Sequence, residues 1–388
     1  MPNYNKKILV AEPSQAMRRT IRNMLKQSGY VNIHLLETSR EALEVLKKEK
    51  IDLVIADWNL SSLSGLELLE RIREDKNLTD VSFLIITTNS NLDTIAEAAE
   101  RGVDDCLVKP FKVGTFQTKI ELIFNGKDDP SKVEYHIYKG RKYKNEGKYD
   151  EAIKEFEKAL EIEPNRAKTY QAIGEVCEVQ GKEGEAEEKF LNAMILNPKF
   201  ISAYNSLGNL YKKKKRLDDA IDCLKSASKI NPKNANRNLN LGEIYLEKGI
   251  AQEAQSYFKK VLRFNPSNTK IKSAIGELYL KADMAEEAER VLKDALDINP
   301  NEIHLYNKLG IAYRQQGKYR AAVEEYKKAL KVDPNDKNLY YNLARAYWEA
   351  KNPLQAMKEL EFILEKYLDF EEAKDLLKEI KKSREPSS

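Results

Sequence analysis

From Val133 to Phe370 the chain repeats itself every 34 residues. Seven units can be set in register, 133–166, 167–200, 201–234, 235–268, 269–302, 303–336 and 337–370. Gly140, Gly174, Gly208, Gly242, Gly276 and Gly310 share one position, which Ala344 takes in the last unit. Twelve residues on stands Ala152, Ala186, Ala220, Ala254, Ala288, Ala322 or Ala356. A proline closes each of the first six units (Pro164, Pro198, Pro232, Pro266, Pro300, Pro334), with Leu368 in its place in the seventh. Small residues at two fixed positions let two antiparallel helices approach closely. Aromatic residues such as Tyr143 and Phe156 fill the space around them. Proline ends the second helix because it lacks an amide hydrogen and disfavours helix in the residue before it. The spacing predicts seven helix pairs, and "EEAKDLLKEIKKS" after Phe370 predicts a capping helix and tail over 371–388.

The first 125 residues follow a different rule. "KILVA", "IHLLE", "DLVIAD", "FLIITT" and "DCLVKP" read as strands. Between them "SQAMRRTIRNMLKQSG", "SREALEVLKKEK", "SGLELLERIRED" and "NLDTIAEAAERG" carry apolar residues at helical spacing, and "VGTFQTKIELIFN" closes the unit. Five apolar strands alternating with helices predict a doubly wound α/β domain over 1–125, its parallel sheet covered on both faces. "GKDDPSK" over 126–132 reads as a linker.

Bulk composition excludes several classes. Sixty-six basic and 62 acidic residues leave a net charge of +4, which asks for no polyanionic partner. The run "KKKKR", Lys212 to Arg216, reads as a solvated helix end and turn, so no nucleic-acid partner is expected. No segment has the roughly 18 apolar residues a membrane span requires. "MPNYNKK" lacks the apolar core of a secretory signal, so a cytoplasmic location is expected. Cys106, Cys177 and Cys223 lie far apart, with neither disulfide nor zinc spacing. His34, His136 and His304 show no catalytic spacing, so no enzyme is expected.

In an open α/β sheet, ligands bind beyond the carboxyl ends of the strands where strand order reverses. Those ends carry Glu12 after the first strand and Asp57 on the third. The fourth ends in Thr87-Thr88 and the fifth in Lys109-Pro110. Acid, acid, hydroxyl and amine thus meet at one crevice. A carboxylate that attacks phosphorus needs such company, because cations must offset the charge already on the phosphoryl group.

This set resembles the receiver domain of two-component response regulators, over roughly Lys6 to Asn125. "MRRTIRNML" and "ADWNLSSLSGLELL" are similar to the chemotaxis-type receivers. The resemblance implies strand order 2-1-3-4-5 and a phosphoryl group accepted on Asp57 from a histidine kinase or phosphotransfer protein. It also implies Thr87 and Lys109 contacting the phosphoryl oxygens, and a cis Lys109–Pro110 peptide. Mg²⁺ would be held by Glu12, Asp57 and the Asn59 backbone carbonyl. Pro13 stands where the family usually has a second acid, so the ion is expected to bind more weakly. Cys106 stands where many receivers place an aromatic switch residue, and Ser61 where a proline is common.

The repeat half resembles the tetratricopeptide (TPR) repeat, which shares its period and its Gly-Tyr…Ala-Phe…Pro pattern. That resemblance implies an all-α superhelix with a groove, lined by the first helix of each unit, for a protein or peptide ligand. By register, Asn205, Asn209, Lys212, Asn307, Arg314, Tyr341, Arg345 and Trp348 are candidate partner-binding residues, and Glu175, Glu178, Glu243 and Glu277 line the same surface. Two readings follow. One is a response regulator switched by phosphorylation at Asp57 whose repeats bind the output partner. The other is a phosphorylation-independent adaptor with a degenerate receiver.

Overall fold

The computed structural model describes residues 5–75, 77–78, 81–90, 94, 98 and 101–383. The chain divides into two compact units, residues 1–234 and 235–388.

The first unit opens with five parallel strands, β1 (Lys7–Ala11), β2 (Asn32–Leu36), β3 (Leu53–Asp57), β4 (Ser82–Thr87) and β5 (Asp105–Val108). Their order is β2-β1-β3-β4-β5, as the resemblance implied. Alternate residues of the strands point to opposite faces. Ile8, Val10, Leu53, Ile55, Leu84 and Ile86 enter one core with Phe116 and Ile120. Leu9, Ala11, Val54, Ala56, Phe83 and Ile85 enter the other with Leu68, Leu69 and Ile72. This two-sided burial explains why the strands read as continuous apolar runs.

Helices α1 (Gln15–Gln27), α2 (Ser39–Lys48) and α3 (Gly65–Glu74) begin where the sequence supplies caps. Thr38 with Glu41 and Ser64 with Glu67 form reciprocal capping boxes. The helix expected over 91–102 falls largely outside the described residues, as does the tail beyond Ser383. Helix α4 spans Val113–Asp128 and so runs three residues past the boundary expected at Asn125. The break comes only at Asp129, the residue before Pro130, where helix is disfavoured.

Three helix pairs complete the first unit: Val133–Asn145 with Tyr149–Ile162, Ala167–Val179 with Glu183–Leu196, and Ile201–Lys213 with Leu217–Ile230. The second unit contains four pairs: Ala235–Glu247 with Ala251–Phe264, Thr269–Lys281 with Ala285–Ile298, Ile303–Gln315 with Tyr319–Val332, and Lys337–Glu349 with Pro353–Lys366. Helix Glu371–Lys382 follows, burying Ala373, Leu376 and Ile380 against Leu360 and Ile363.

The two small positions work as expected. Each alanine of the register is fully buried. A Cβ added at Gly140 would lie 2.6 Å from the Phe156 ring, and one at Gly276 would lie 2.7 Å from Leu292. The prolines sit two residues beyond the second helices. Yet helix Pro353–Lys366 stops at the same register position with Leu368 there, so proline reinforces the stop without being required for it.

The turn inside each pair needs a left-handed residue, supplied by Gly147 and Gly181 but also by Lys215, Asp283 and Lys351 (φ 59°, 56° and 60°). Left-handed backbone costs a side-chain-bearing residue about 1–2 kcal/mol, partly offset by the greater freedom glycine loses on folding. Lys215→Gly and Lys351→Gly are therefore each expected to stabilise the fold by roughly 1 kcal/mol, read as a higher urea midpoint. The left-handed Lys215 also places "KKKKR" at a helix end and turn, where Arg216 pairs with Glu187 and Asp219 and lies over the Tyr211 ring.

Candidate functional site

The sheet order makes the site. β1 lies between β2 and β3, so the chain winds outward in opposite directions from it. The crevice at their carboxyl ends is the place where an open α/β sheet receives ligands. Asp57 is the last residue of β3 and its side chain is 10% exposed; Glu12 follows β1 and its side chain is 3% exposed.

Lys109, just beyond β5, reaches both acids. Its Nζ donates to Asp57 Oδ2 at 2.5 Å and to Glu12 Oε2 at 2.6 Å. The other oxygen of each carboxylate accepts a backbone amide: Ser14 N–H on Glu12 Oε1 at 3.0 Å, and Asn59 N–H on Asp57 Oδ1 at 2.7 Å. Two buried carboxylates thus share one ammonium. Burial alone would push the Lys109 ammonium down, but the hydrogen bonds and charges of Asp57 and Glu12 outweigh it and hold its pKa above the usual lysine value. The Lys109–Pro110 peptide is cis, as expected.

Thr87 ends β4 and is buried, its Oγ1 accepting the Asn89 amide at 3.0 Å, while its carbonyl accepts the Lys109 amide at 2.7 Å. Cys106 is half-buried on β5, packed against one of the sheet's two cores, and burial with the neighbouring Asp105 raises its thiol pKa. The Ser61 carbonyl accepts the Ser39 hydroxyl at 2.8 Å, which ties the loop after β3 to α2.

Sequence reasoning missed Arg18. Its guanidinium donates to the carbonyls of Glu12 (2.5 Å) and Pro13 (2.9 Å) and pairs with Glu37 at 3.2 Å. It therefore clamps the turn that aims Glu12. The available signal was its place in the first turn of α1, from which a long side chain leans back toward the strand end.

The donor set fits Mg²⁺. The ion commonly takes one or two carboxylates and completes its octahedron with water and phosphate. Each carboxylate oxygen here accepts one of these bonds and keeps acceptor capacity for another. The Pro13 side chain adds no oxygen, and among the described residues no group of three or more His, Cys, Asp or Glu side chains is gathered for a metal.

The response regulator receiver domain family matches residues 8–121, which hold all four strand ends. Chemotaxis protein CheY-3 of Vibrio cholerae is 38% identical over 122 residues, 31% of this chain and 94% of that protein. Chemotaxis protein CheY of Pseudomonas aeruginosa is 36% identical over 118 residues, 30% of this chain and 95% of that protein. The chain belongs to the response regulator family. Tetratricopeptide repeat families match residues 133–166, 208–249, 245–309 and 312–350 of this response regulator. A tetratricopeptide repeat protein from Parabacteroides merdae aligns with 65% of this chain and 99% of its own at 20% identity and a TM-score of 0.47. The regulator thus joins a receiver to a protein-interaction region.

The expected groove residues differ in how they are held. Asn205 and Lys212 are half-buried on helix Ile201–Lys213, with Asn209 exposed. Asn307 accepts the Asn342 side-chain amide at 2.9 Å. Glu349 holds both Arg314 (3.1 Å) and Arg345 (3.6 Å). Hydrogen bonds from Lys308 and Lys281 bring the Glu277 carboxyl down to about 2, and Glu175 pairs with Lys144. Tyr341 packs on Phe370 with ring centroids 5.5 Å apart, and Trp348 joins the same terminal core. Both aromatics therefore help dock the last helix.

Proposed function

We propose that this response regulator accepts a phosphoryl group on Asp57 from the phosphohistidine of a histidine kinase or phosphotransfer protein, and that its repeats carry the output by binding a protein or peptide. The observation that supports this is the Lys109 ammonium 2.5 Å from a buried Asp57 oxygen at the strand-order switch. In the transfer, an Asp57 oxygen forms a bond to phosphorus as the phosphorus–nitrogen bond breaks and the imidazole leaves. Lys109, already in contact with the acceptor carboxylate, meets the charge brought by the phosphoryl oxygens. The Asn59 amide orients the carboxylate through Oδ1, and Thr87 lies one strand away to donate its hydroxyl. Mg²⁺ held by Glu12, Asp57 and the Asn59 carbonyl would supply further charge neutralisation.

A second reading, an adaptor that works without phosphorylation, is favoured by one observation. Lys109 already bridges Glu12 and Asp57, and Pro13 leaves no further acid beside them. Mg²⁺ with beryllofluoride separates the two readings, because Trp58 is half-buried directly beside Asp57 and reports on it by fluorescence. Quenching that needs both reagents supports the switch. Its absence at saturating Mg²⁺ in folded protein favours the adaptor.

Pro13→Asp is expected to tighten Mg²⁺ binding about tenfold, a gain of about 1.4 kcal/mol, in a Trp58 titration. For the repeats, Asn205, Asn209, Lys212, Asn307 and Arg345 are the groups through which a ligand is held, with Arg314 half-buried beside Glu349. Substitution at Tyr341 or Trp348 would also loosen the terminal helix, so Asn307→Ala with Arg345→Ala is the cleaner probe of binding.

A further inference from the structure

At the amino ends of β4 and β5, a strand's length from Asp57, the receiver and the first two repeats enclose a cleft of about 560 Å³. A volume of this size suits a small organic ligand. Its walls carry unequal charge. Asp104 lines it, accepting the Phe83 amide at 2.8 Å while facing Arg73 at 3.4 Å and Arg141 at 3.3 Å. The other acids of the lining are engaged elsewhere: Asp105 by Lys119 (2.6 Å), Glu134 by Arg166 (3.2 Å) and Glu175 by Lys144 (2.6 Å). Asp104 thus faces both Arg141 and Arg73, and neither contact is short. Lys168 is half-buried in the same lining and has no hydrogen bond or ion pair among the described residues. An ammonium and a loosely held guanidinium thus face one cleft with Asp104 as the acid near both. Leu122, Ile137 and Tyr138 give the cleft an apolar wall as well.

We infer that this cleft binds a small organic phosphate, with Lys168 and Arg141 taking the phosphate and the apolar wall taking the body of the ligand. Bidentate guanidinium contact with phosphate and a point charge from lysine are the usual means of such recognition. The site is independent of the chemistry at Asp57. It joins the two kinds of domain, so a bound ligand would bridge receiver and repeats.

The charge state of Lys168 provides a signature. Burial pushes its ammonium down to about 8; Arg141 adds to this, Asp104 opposes it, and Arg166 and Arg73 add further. The remaining charged groups of the lining are Asp105, Glu134, Lys144 and Glu175. A phosphate monoester is mostly dianionic above about pH 6. Affinity should therefore be greatest near neutrality and fall as the pH passes 8 and Lys168 loses its proton.

The test is calorimetric titration of the full chain with inorganic phosphate, adenosine monophosphate and adenosine, repeated in Asp57→Asn to remove any contribution from the receiver acid. Saturable binding of the monophosphate, tighter than that of adenosine and unchanged in Asp57→Asn, is expected. Lys168→Ala should weaken it about tenfold with the urea midpoint preserved, and Lys168→Arg should bind with no loss above pH 8. Failure of both phosphates to bind overturns the inference. So does adenosine binding as tightly as its monophosphate, or Lys168→Arg keeping the wild-type fall in affinity above pH 8.

Discussion

Asp57→Asn is expected to abolish any gain of a phosphoryl group when the full chain is incubated with Mg²⁺ and a small phosphodonor, as read by intact mass. Beryllofluoride quenching of Trp58 is expected to be lost with it. The amide is nearly isosteric with the carboxylate but offers phosphorus no anionic oxygen. It also leaves Lys109 with Glu12 as its single acid, since Asp57 supplies the shorter of its two contacts. The fold should survive the change, because the Asn side-chain oxygen can still accept the Asn59 amide now held by Oδ1. Removing the cation instead is expected to be harsher. Lys109→Met would leave two buried carboxylates facing each other, and breaking a buried ion pair typically costs about 3–5 kcal/mol. A chain that folds as Asp57→Asn yet still takes up phosphate on the receiver would place the acceptor elsewhere and sink the assignment.

Gly310→Ala is expected to destabilise the second unit by about 2 kcal/mol, within the usual range for overpacking a tight core. The added Cβ would stand 2.5 Å from Cε1 of Tyr326, a ring with no exposed surface and no room to retreat. The protein itself supplies the compensation. In the last repeat Ala344 occupies the glycine position and Leu360 the ring position, both fully buried. The double variant Gly310→Ala with Tyr326→Leu should therefore regain most of the loss, and a urea titration followed by far-ultraviolet ellipticity measures both. Equal destabilisation in the single and double variants would show that ring and small residue are not coupled. Because each repeat is stabilised mainly by its neighbours, the effect should spread to adjacent pairs and leave the receiver's transition unchanged.

Much of this architecture was legible because it depends on local periodicity. Glycine, alanine and proline at a 34-residue interval determine where helices approach and stop, and the helices start and end on that register. The doubly wound sheet was readable for a similar reason, since a strand buried on both faces must be apolar throughout. Glu12, Asp57, Thr87 and Lys109 were readable because parallel topology brings strand ends together whatever the intervening helices contain.

What depended on long side chains crossing between elements was not readable. Arg18 holding the Glu12-Pro13 turn, and Lys109 bridging Glu12 and Asp57, each arise from a reach that spacing along the chain does not encode. Register assigns Tyr341 and Trp348 to the groove face, but it does not reveal that both, half-buried, also pack into the terminal core with Phe370, where burying aromatic area contributes more than leaving it in water. Local spacing along the chain was enough for the repeat register, for the chemistry at the strand ends and for the missing acid at Pro13. How the charges pair, including the unequal set around Asp104 and Lys168, emerges on folding, because ion pairs follow distance in space and those partners come from segments far apart in the chain.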